Sequence, residues 1–149
     1  MNGRDGAAVE VRPATPADAA ALAPLLEALG YPAAPASVAA RLERMAAFGA
    51  AAAFVAVVDG APVGLVTAHA FPSVHADPPA AWLTTLVVAS GARRRGVASH
   101  LVRAAEAWAS GRGAVRISVT SGAHRAGAHA FYEGLAYAAT GRRFTKSLP

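Results

Sequence analysis

Several residue types are absent or scarce in this sequence of 149 residues. It contains no cysteine, which excludes disulfides and thiolate zinc sites and fits a reducing cytoplasm. Aromatic residues make up 7% of the chain and are not interleaved with its basic run, which argues against a surface that stacks single-stranded nucleic acid. The five histidines show no metal-binding spacing such as H-E-x-x-H. We therefore expect neither a metal site nor a nucleic-acid partner.

Long uncharged apolar runs are also missing. The longest apolar stretch, Ala46 to Val58, is shorter than the about 18 residues that a membrane helix needs, and it contains Gly49. The segment from Met1 to Val11 carries Arg4 and Glu10 and has no apolar core, unlike a secretory signal peptide. These patterns predict a cytoplasmic protein without a membrane segment.

The composition is that of a folded chain, with 54% hydrophobic and 15% charged residues. Its length fits one domain over residues 1–149 with a full hydrophobic core. Lys and Arg number 14 against 9 Asp and Glu, which gives a formal net charge of +5. A basic chain of this kind favours an anionic partner, and a polyanionic cofactor is one such class.

The most informative segment runs from Leu86 to Leu101. It reads as a β-branched strand, a basic turn and the start of a helix, with the pattern R-x-x-G-x-A at Arg93, Gly96 and Ala98. The first N–H groups of a helix have no partner within it and carry the positive end of its dipole, so they bind anions. Gly96 lets a ligand approach the backbone because it has no Cβ. The segment predicts a pyrophosphate cradle, whereas the P-loop and dinucleotide-binding glycine motifs are absent.

Helix signals occur at four places. Thr15 is a candidate N-cap followed by Pro16, and Gly30 is a candidate end of that first helix. Apolar periodicity predicts three further helices. These begin near Ser37, after Gly96 and near Arg125.

Strand signals fill the intervals between these helices. The Asp59-Gly60 pair predicts a hairpin turn, and the prolines of Phe71 to Pro79 predict a loop. The predicted order is βααβββαβαββ: an α/β sheet of about seven strands, antiparallel in its first half, with four helices and a helical crossover between Val88 and Val115. The strands are predicted at Ala8–Arg12, Ala52–Val58, Val63–His69, Trp82–Val88, Val115–Val119, Tyr137–Thr140 and Arg143–Ser147.

The basic turn resembles motif A of the GNAT acetyltransferase superfamily, whose loop pattern is Q/R-x-x-G-x-G/A. The predicted element order also matches that mixed-sheet fold over nearly the whole chain. The resemblance implies that the turn holds the pyrophosphate of acetyl-coenzyme A, the co-substrate, and that the strand before it pairs with the pantetheine arm through its backbone. The residues that it implies for cofactor binding are Leu86, Val87, Val88, Arg93, Arg94, Arg95, Gly96, Val97, Ala98 and Ser99, together with His124.

A second resemblance lies between Ser121 and Glu133, which looks like the A-H-x-F-Y-E helix of many GNAT members. It implies that Tyr132 lies beside the coenzyme A sulfur and acts as the general acid. The family often continues with G-[FY], whereas this sequence has Ala136 before Tyr137. We expect that departure to affect the geometry of the last turn of the helix.

Together the two motifs predict an acetyl-coenzyme A-dependent N-acetyltransferase that modifies a primary amine of a small molecule by direct attack. Acetylation of a protein or peptide, or a non-catalytic acyl-coenzyme A sensor, are the alternatives. The scarcity of acidic residues argues against polycationic aminoglycosides as substrates. Relatives are often homodimers, and Phe144 is a candidate interface residue.

The residue that removes a proton from the amine is left open by the sequence. Related enzymes often carry a glutamate on the strand before the pyrophosphate loop, but Ala81 to Thr85 contains no carboxylate. Trp82 and Thr84 share a face of that strand and are candidates for the acceptor pocket. The remaining candidates for the base are Glu27, His69, His75 and Asp77.

Overall fold

The computed structural model describes residues 8–93, 95–120, 126–141 and 143–149. These residues contain five strands and four helices. The chain divides into two compact units, Met1–Ser118 and Val119–Pro149. The strands are β1 (Glu10–Pro13), β2 (Ala51–Val58), β3 (Ala61–Ser73), β4 (Ala76–Val88) and β5 (Ile117–Val119). The helices are α1 (Ala19–Leu29), α2 (Pro35–Phe48), α3 (Val97–Gly111) and α4 (Ala126–Gly134).

The sheet has the strand order β1-β2-β3-β4-β5, and its first four strands are antiparallel to their neighbours. Helices cover both of its faces. One core lies between the sheet and helices α1 and α2, where Leu22, Val38 and Leu65 are buried together. On the opposite face Ala109 of α3 packs with Ala70 and Ala81 of the sheet. This arrangement confirms the α/β class predicted from the sequence.

The ends of the first two helices follow the local signals in the sequence. Thr15 precedes a single 3-10 turn, Pro16–Asp18, and donates its backbone N–H to Asp18 Oδ2 at 2.8 Å. Helix α1 ends at Gly30 with φ +103° and α2 ends at Gly49 with φ +75°. Glycine is favoured at both positions because a Cβ is disfavoured in left-handed backbone.

Strand β4 contains a bulge that changes which face its side chains reach. Thr67 of β3 pairs with Thr85, whereas the next residue, Ala68, pairs with Leu83, so Thr84 is an extra residue on β4. Side chains on a regular strand alternate between the faces. After the extra residue the alternation is reversed: Val87 packs in the α1/α2 core, whereas Ala81, an even number of residues away, packs on the α3 face.

Helix α3 approaches β3 closely at Gly64. A Cβ built on Gly64 would lie 2.9 Å from Leu101 Cδ1 and 3.2 Å from Val97 Cγ1. Both side chains are fully buried, so they cannot swing away to make room. The missing side chain of Gly64 therefore lets the first turn of α3 rest on the sheet.

The predicted loop over Phe71 to Pro79 is wrong, because this segment is a hairpin of β3 and β4. Its turn is Val74–His75, where the Ser73 hydroxyl accepts the backbone N–H of His75 at 3.2 Å. Proline commonly marks a loop, but the prolines of this segment lie where the ladder is irregular, between the pairs Phe71/Ala80 and Ser73/Ala76. At these positions the N–H group that proline lacks is not needed for a regular hydrogen bond of the ladder.

The second unit contains α4 and an extended tail. The two tail strands predicted at Tyr137–Thr140 and Arg143–Ser147 are not formed in the described residues, so the sheet has five strands instead of about seven. Ala136 adopts a φ of +69°, the left-handed conformation expected where relatives carry glycine. The turn therefore forms with alanine in place, at a cost of roughly 1–2 kcal/mol in backbone strain.

The start of the first unit is fastened by an ion pair between β1 and the 3-10 turn. Arg12 donates two hydrogen bonds to the buried Asp18 carboxylate, Nη1 to Oδ2 at 2.9 Å and Nη2 to Oδ1 at 2.8 Å. The hydrogen bond from Arg12 is the main cause that lowers the pKa of Asp18 below its ordinary value, and the Thr15 N–H adds to it.

We expect Asp18→Asn to lower the free energy of unfolding by about 1–2 kcal/mol, because the side chain loses its charge and part of its cap. Since the folded-state pKa of Asp18 is lowered, its contribution is present above the unfolded pKa of about 4 and is lost as the pH falls below it. Urea denaturation at several pH values measures both effects, and the variant should lose less stability in acid than the wild type. The exposed Asp77→Asn is the control; equal losses in both variants at neutral pH would contradict the assignment.

Candidate functional site

The start of helix α3 is the centre of the site predicted from the sequence. Gly96 is its N-cap, with φ +75° and ψ +11°, and no side chain caps the helix there. The backbone N–H groups of the first helical turn are thus left for a ligand, with the positive end of the helix dipole behind them. A short 3-10 turn, Ser90–Ala92, carries the chain from β4 toward this point.

The side chain of His100 fixes the carbonyl of Gly96. His100 Nδ1 lies 2.7 Å from the Gly96 oxygen, and the His100 backbone N–H donates to the same oxygen at 3.1 Å. A carbonyl oxygen only accepts hydrogen bonds, so Nδ1 carries the proton in this contact. The carbonyl is held along the helix by both bonds, and the opposite, N–H side of the turn is available to an anion.

Positive charge surrounds this helix start. Arg93 and Arg95 are exposed, and neither forms an ion pair with a carboxylate in the described part of the chain. Unpaired guanidinium groups beside free N–H groups create the field that attracts a polyanion. Of the other predicted loop residues, Val97 is buried in the core, and Ala98 and Ser99 are half-buried in the first helical turn.

Strand β4, which leads to this turn, has two edges whose backbone groups can form hydrogen bonds. On its first edge Leu86, Val87 and Val88 pair with Val66, Leu65 and Gly64 of β3. Strand β4 has 13 residues and its other neighbour, β5, has 3, so β5 is too short to pair with the whole second edge. An extended ligand with amide groups can add to such an edge through backbone hydrogen bonds.

A cavity of about 400 Å³ lies between helices α1 and α2 and the sheet. Its volume is in the range of small-molecule sites. The bulge brings the neighbouring residues Thr84 and Thr85 to its wall together. Most of the side chains that line the cavity are apolar. The complete lining consists of Leu22, Leu26, Leu29, Tyr31, Val38, Arg41, Leu42, Met45, Leu65, Thr67, His69, Thr84 and Thr85.

A chain of three polar side chains lines the sheet wall of this cavity. Thr67 Oγ1 lies 2.8 Å from Thr84 Oγ1, which lies 3.2 Å from His69 Nδ1. Thr67 is buried with 7% of its surface exposed, and His69 is half-buried. The Phe48 ring packs obliquely on the His69 ring, with centroids 6.5 Å apart. These contacts hold the imidazole at the cavity wall with its Nε2 outside the chain of hydrogen bonds.

The structure distinguishes among the four residues that the sequence offers as candidates for the base. His69 lines the cavity, whereas Glu27 is exposed on α1 outside its lining. His75 and Asp77 lie in the β3–β4 hairpin, where His75 Nδ1 contacts the Ser73 hydroxyl at 2.9 Å. Trp82 and Thr84 were the two residues predicted to line the acceptor pocket. Thr84 lines the cavity, whereas Trp82 lies opposite His69 in the ladder and is outside the lining.

Sequence reasoning missed several cavity residues. Arg41, Tyr31 and Thr67 were not singled out, because each is an ordinary residue for a surface helix, a loop or a strand. The cavity requires α1 and α2 to pack side by side over the sheet, and one-dimensional patterns do not encode that packing. Thr84 and Thr85 became neighbours on one face only through the bulge.

Tyr132 lies in α4, in the second unit, and is half-buried. Its ring makes edge contacts with Phe131 and Tyr137, with centroids 5.2 Å and 5.5 Å apart. Its carbonyl accepts the backbone N–H groups of Leu135 and Tyr137, both at 3.0 Å, which closes the end of the helix. The predicted cofactor residues Arg94 and His124 lie outside the described residues.

The sequence and the fold were compared with those of known proteins. A sequence model of the acetyltransferase (GNAT) family matches residues 22–137. No curated protein sequence matches the chain.

In the described part of the chain, none of the helices has the length and apolar character needed to cross a bilayer.

Solved structures share the fold over nearly the whole chain. A transcriptional regulator from Bacillus halodurans C-125 has a TM-score of 0.87 at 23% identity, covering 95% of this chain and 100% of that one. An aminoglycoside N-acetyltransferase in complex with coenzyme A has a TM-score of 0.84 at 20% identity, covering 99% of both chains. A ribosomal-protein-alanine N-acetyltransferase from Brucella melitensis biovar Abortus 2308 has a TM-score of 0.76 at 24% identity, covering 95% of this chain and 100% of that one.

Proposed function

Because this chain belongs to the acetyltransferase (GNAT) family, whose members use acetyl-coenzyme A, we propose that it acetylates the primary amine of a small molecule. The observation that carries the proposal is the cavity beside β4, whose sheet wall is lined by Thr84, Thr85 and His69. One strand thereby serves both reactants: its backbone edge suits an amide-bearing ligand, and its side chains line a cavity for a second one.

Residues at the start of α3 hold the donor in this proposal. The N–H groups after Gly96 and the unpaired guanidinium groups of Arg93 and Arg95 provide donors and positive charge for a diphosphate. Gly64 supports them indirectly, since it lets α3 rest on β3. When bound, acetyl-coenzyme A supplies an activated acetyl thioester. The backbone N–H groups near Val88 are the expected donors to the oxygen that gains charge during the transfer.

His69 is the residue that we propose to accept the proton of the amine. An alkyl amine with a pKa near 10.4 is mostly protonated at neutral pH and cannot attack in that form. If Nδ1–H donates to Thr84 Oγ1, then Nε2 has a free lone pair and accepts the proton. The hydroxyl groups of Thr84 and Thr67 hold this tautomer in place.

Tyr132 is proposed as the general acid that protonates the leaving thiolate. The support is the A-H-x-F-Y-E resemblance and the packing of its ring between Phe131 and Tyr137, which restricts its rotamer. A thiolate has a conjugate pKa near 8.5, and a positioned phenol can donate its proton as the C–S bond breaks. No covalent enzyme intermediate is needed, in keeping with a chain that has no cysteine.

Release of free thiol from acetyl-coenzyme A in the presence of a panel of amines tests the proposed function. The panel should include amino acids, simple alkyl amines, polyamines, aminoglycosides and peptides. A protein or peptide acetyltransferase would prefer the peptides, and a sensor would bind the thioester without releasing thiol with any amine. A cytoplasmic location and a homodimer, with the 91% exposed Phe144 at its interface, stay predictions from the sequence.

We expect Gly96→Asp to abolish the rise in melting temperature that acetyl-coenzyme A gives the wild type, because binding stabilises only the folded state. The substitution places a β-carbon and a negative charge at a position with φ +75°, beside the N–H groups that bind the diphosphate. The matched control is Gly91→Ala, since Gly91 has an ordinary φ and open space around its Cβ position. Thermal shift measures both variants, and an undiminished shift in Gly96→Asp would remove this turn from the donor site.

We expect Tyr132→Phe to lower kcat by about 10²-fold or more and to leave the acetyl-coenzyme A thermal shift unchanged, since only the proton donor is lost. The edge contacts with Phe131 and Tyr137 involve the ring, which phenylalanine retains. Tyr137→Phe is the matched control, and it should keep nearly full activity. Wild-type kcat in Tyr132→Phe would assign the acid to another group.

We expect His69→Gln to lower kcat/KM by about 10²-fold and to leave the acetyl-coenzyme A thermal shift unchanged, since only the proton acceptor is lost. Glutamine keeps a polar group at the cavity wall but cannot take up the proton. His75→Gln is the control, because His75 is exposed in the hairpin and outside the cavity lining. Steady-state rates with the best acceptor of the panel measure both variants, and equal kcat/KM values in His69→Gln and His75→Gln would mean that His69 only lines the wall.

A further inference from the structure

The cavity lining bears on which amines the enzyme accepts. Its walls are built by the leucines of α1, by Val38, Leu42 and Met45 of α2, and by Leu65 of β3. Such walls favour an acceptor with an apolar body, because apolar contact removes about 25 cal/mol of unfavourable hydration free energy per Å² buried. The remaining lining groups decide what the polar ends of the acceptor can be.

The charges of the lining have one sign. Among the described residues that line the cavity there is no Asp or Glu, and Arg41 is the only side chain with a permanent charge. Arg41 forms no ion pair with any described carboxylate, and no hydrogen bond of its guanidinium is recorded within the described residues. Its donors are therefore available to a ligand. Arg44, which lies on the same helix, is outside the lining.

A polycation fits this lining poorly. Each additional ammonium group that lies against this lining would lose water without gaining a carboxylate partner, which is costly beside apolar walls. It would also be repelled by Arg41, since like charges raise each other's energy at short range. Aminoglycosides and polyamines therefore lack the counter-charges that they need here.

A carboxylate fits the same lining well. The guanidinium group has a planar fork of N–H donors that matches a carboxylate in two parallel hydrogen bonds. Arg41 belongs to the helix wall, whereas His69 and Thr84 belong to the sheet wall, so the cavity offers two different polar ends with apolar surface between them. An amine at the sheet end and a carboxylate at the helix end satisfy both.

On the basis of the function proposed above, we propose that the acceptor is a monoamine with an apolar body and a carboxylate that pairs with Arg41. The ω-amino acids are the class with this chemistry, because they carry the amine and the carboxylate at opposite ends of a short chain. The enzyme discriminates against polycationic amines.

Two sets of matched amines test this specificity in the thiol-release assay. The first is δ-aminovalerate, pentylamine and cadaverine, which share a five-carbon chain and differ in the group at one end. The second is leucine and isoamylamine, which differ only by a carboxylate next to the amine, where it cannot reach Arg41 and should give no advantage. We expect kcat/KM to be highest for a carboxylate-bearing amine and lowest for cadaverine. Arg41→Gln should raise KM for the carboxylate-bearing amine by about tenfold or more and change pentylamine turnover little.

Arg44→Gln is the matched control, because it removes the same charge from the same helix outside the cavity. Three results would each overturn the inference: cadaverine as the best acceptor, equal effects of Arg41→Gln and Arg44→Gln, or no thiol release with any carboxylate-bearing amine. The proposed function fails separately, when acetyl-coenzyme A gives no thermal shift and no amine of any kind releases thiol. Turnover of plain amines or polyamines alone would retain the acetyltransferase and reject the specificity.

Discussion

The extra residue in β4 is the constraint on which the rest of the site depends. A regular strand gives every second side chain to one face, so two adjacent residues cannot line the same cavity. With Thr84 unpaired opposite β3, both Thr84 and Thr85 face α1 and α2, while Ala81 turns to α3. The same strand can then close the core on both faces and still present hydroxyl groups to a bound molecule. Bulges next to active sites commonly redirect a side chain in this manner.

Electrostatics divides the first unit into two regions of different character. At the start of α3 the unpaired arginines and the free N–H groups form a strongly positive surface suited to a diphosphate. In the cavity the walls are apolar, and positive charge comes from Arg41 alone among the described lining residues. A polyanionic donor and an acceptor with few charges can therefore be bound next to the same strand without competing for one kind of site.

Local rules account for what the sequence predicted well. The signals at Gly30 and Gly96 act within one helical turn, and α1 ends and α3 begins there as expected. Thr15 instead precedes a 3-10 turn ahead of α1, which begins at Ala19, and α2 begins at Pro35 instead of near Ser37. Features that depend on pairing between distant segments were not predictable in the same way. The Phe71 to Pro79 hairpin depends on where the irregular ladder tolerates proline, and the cavity depends on how α1 packs beside α2. His69 was one of four equal candidates in the sequence, and only the fold distinguishes it by bringing it next to Thr84.

The absence of carboxylates from the described cavity lining also affects the chemistry of the amine. A carboxylate beside a bound ammonium stabilises the charged form and keeps its pKa high, which opposes attack on a thioester. In the observed lining, contact with the leucine walls removes water from the amine, which favours its neutral form and lowers its pKa. Proton transfer from the ammonium to an imidazole, the side chain that changes charge nearest neutral pH, is then less unfavourable in free energy. The proposed exclusion of polycations and the proposed role of His69 as base are in this respect consistent with each other, because the surroundings that discourage a second ammonium also favour loss of the proton from the first.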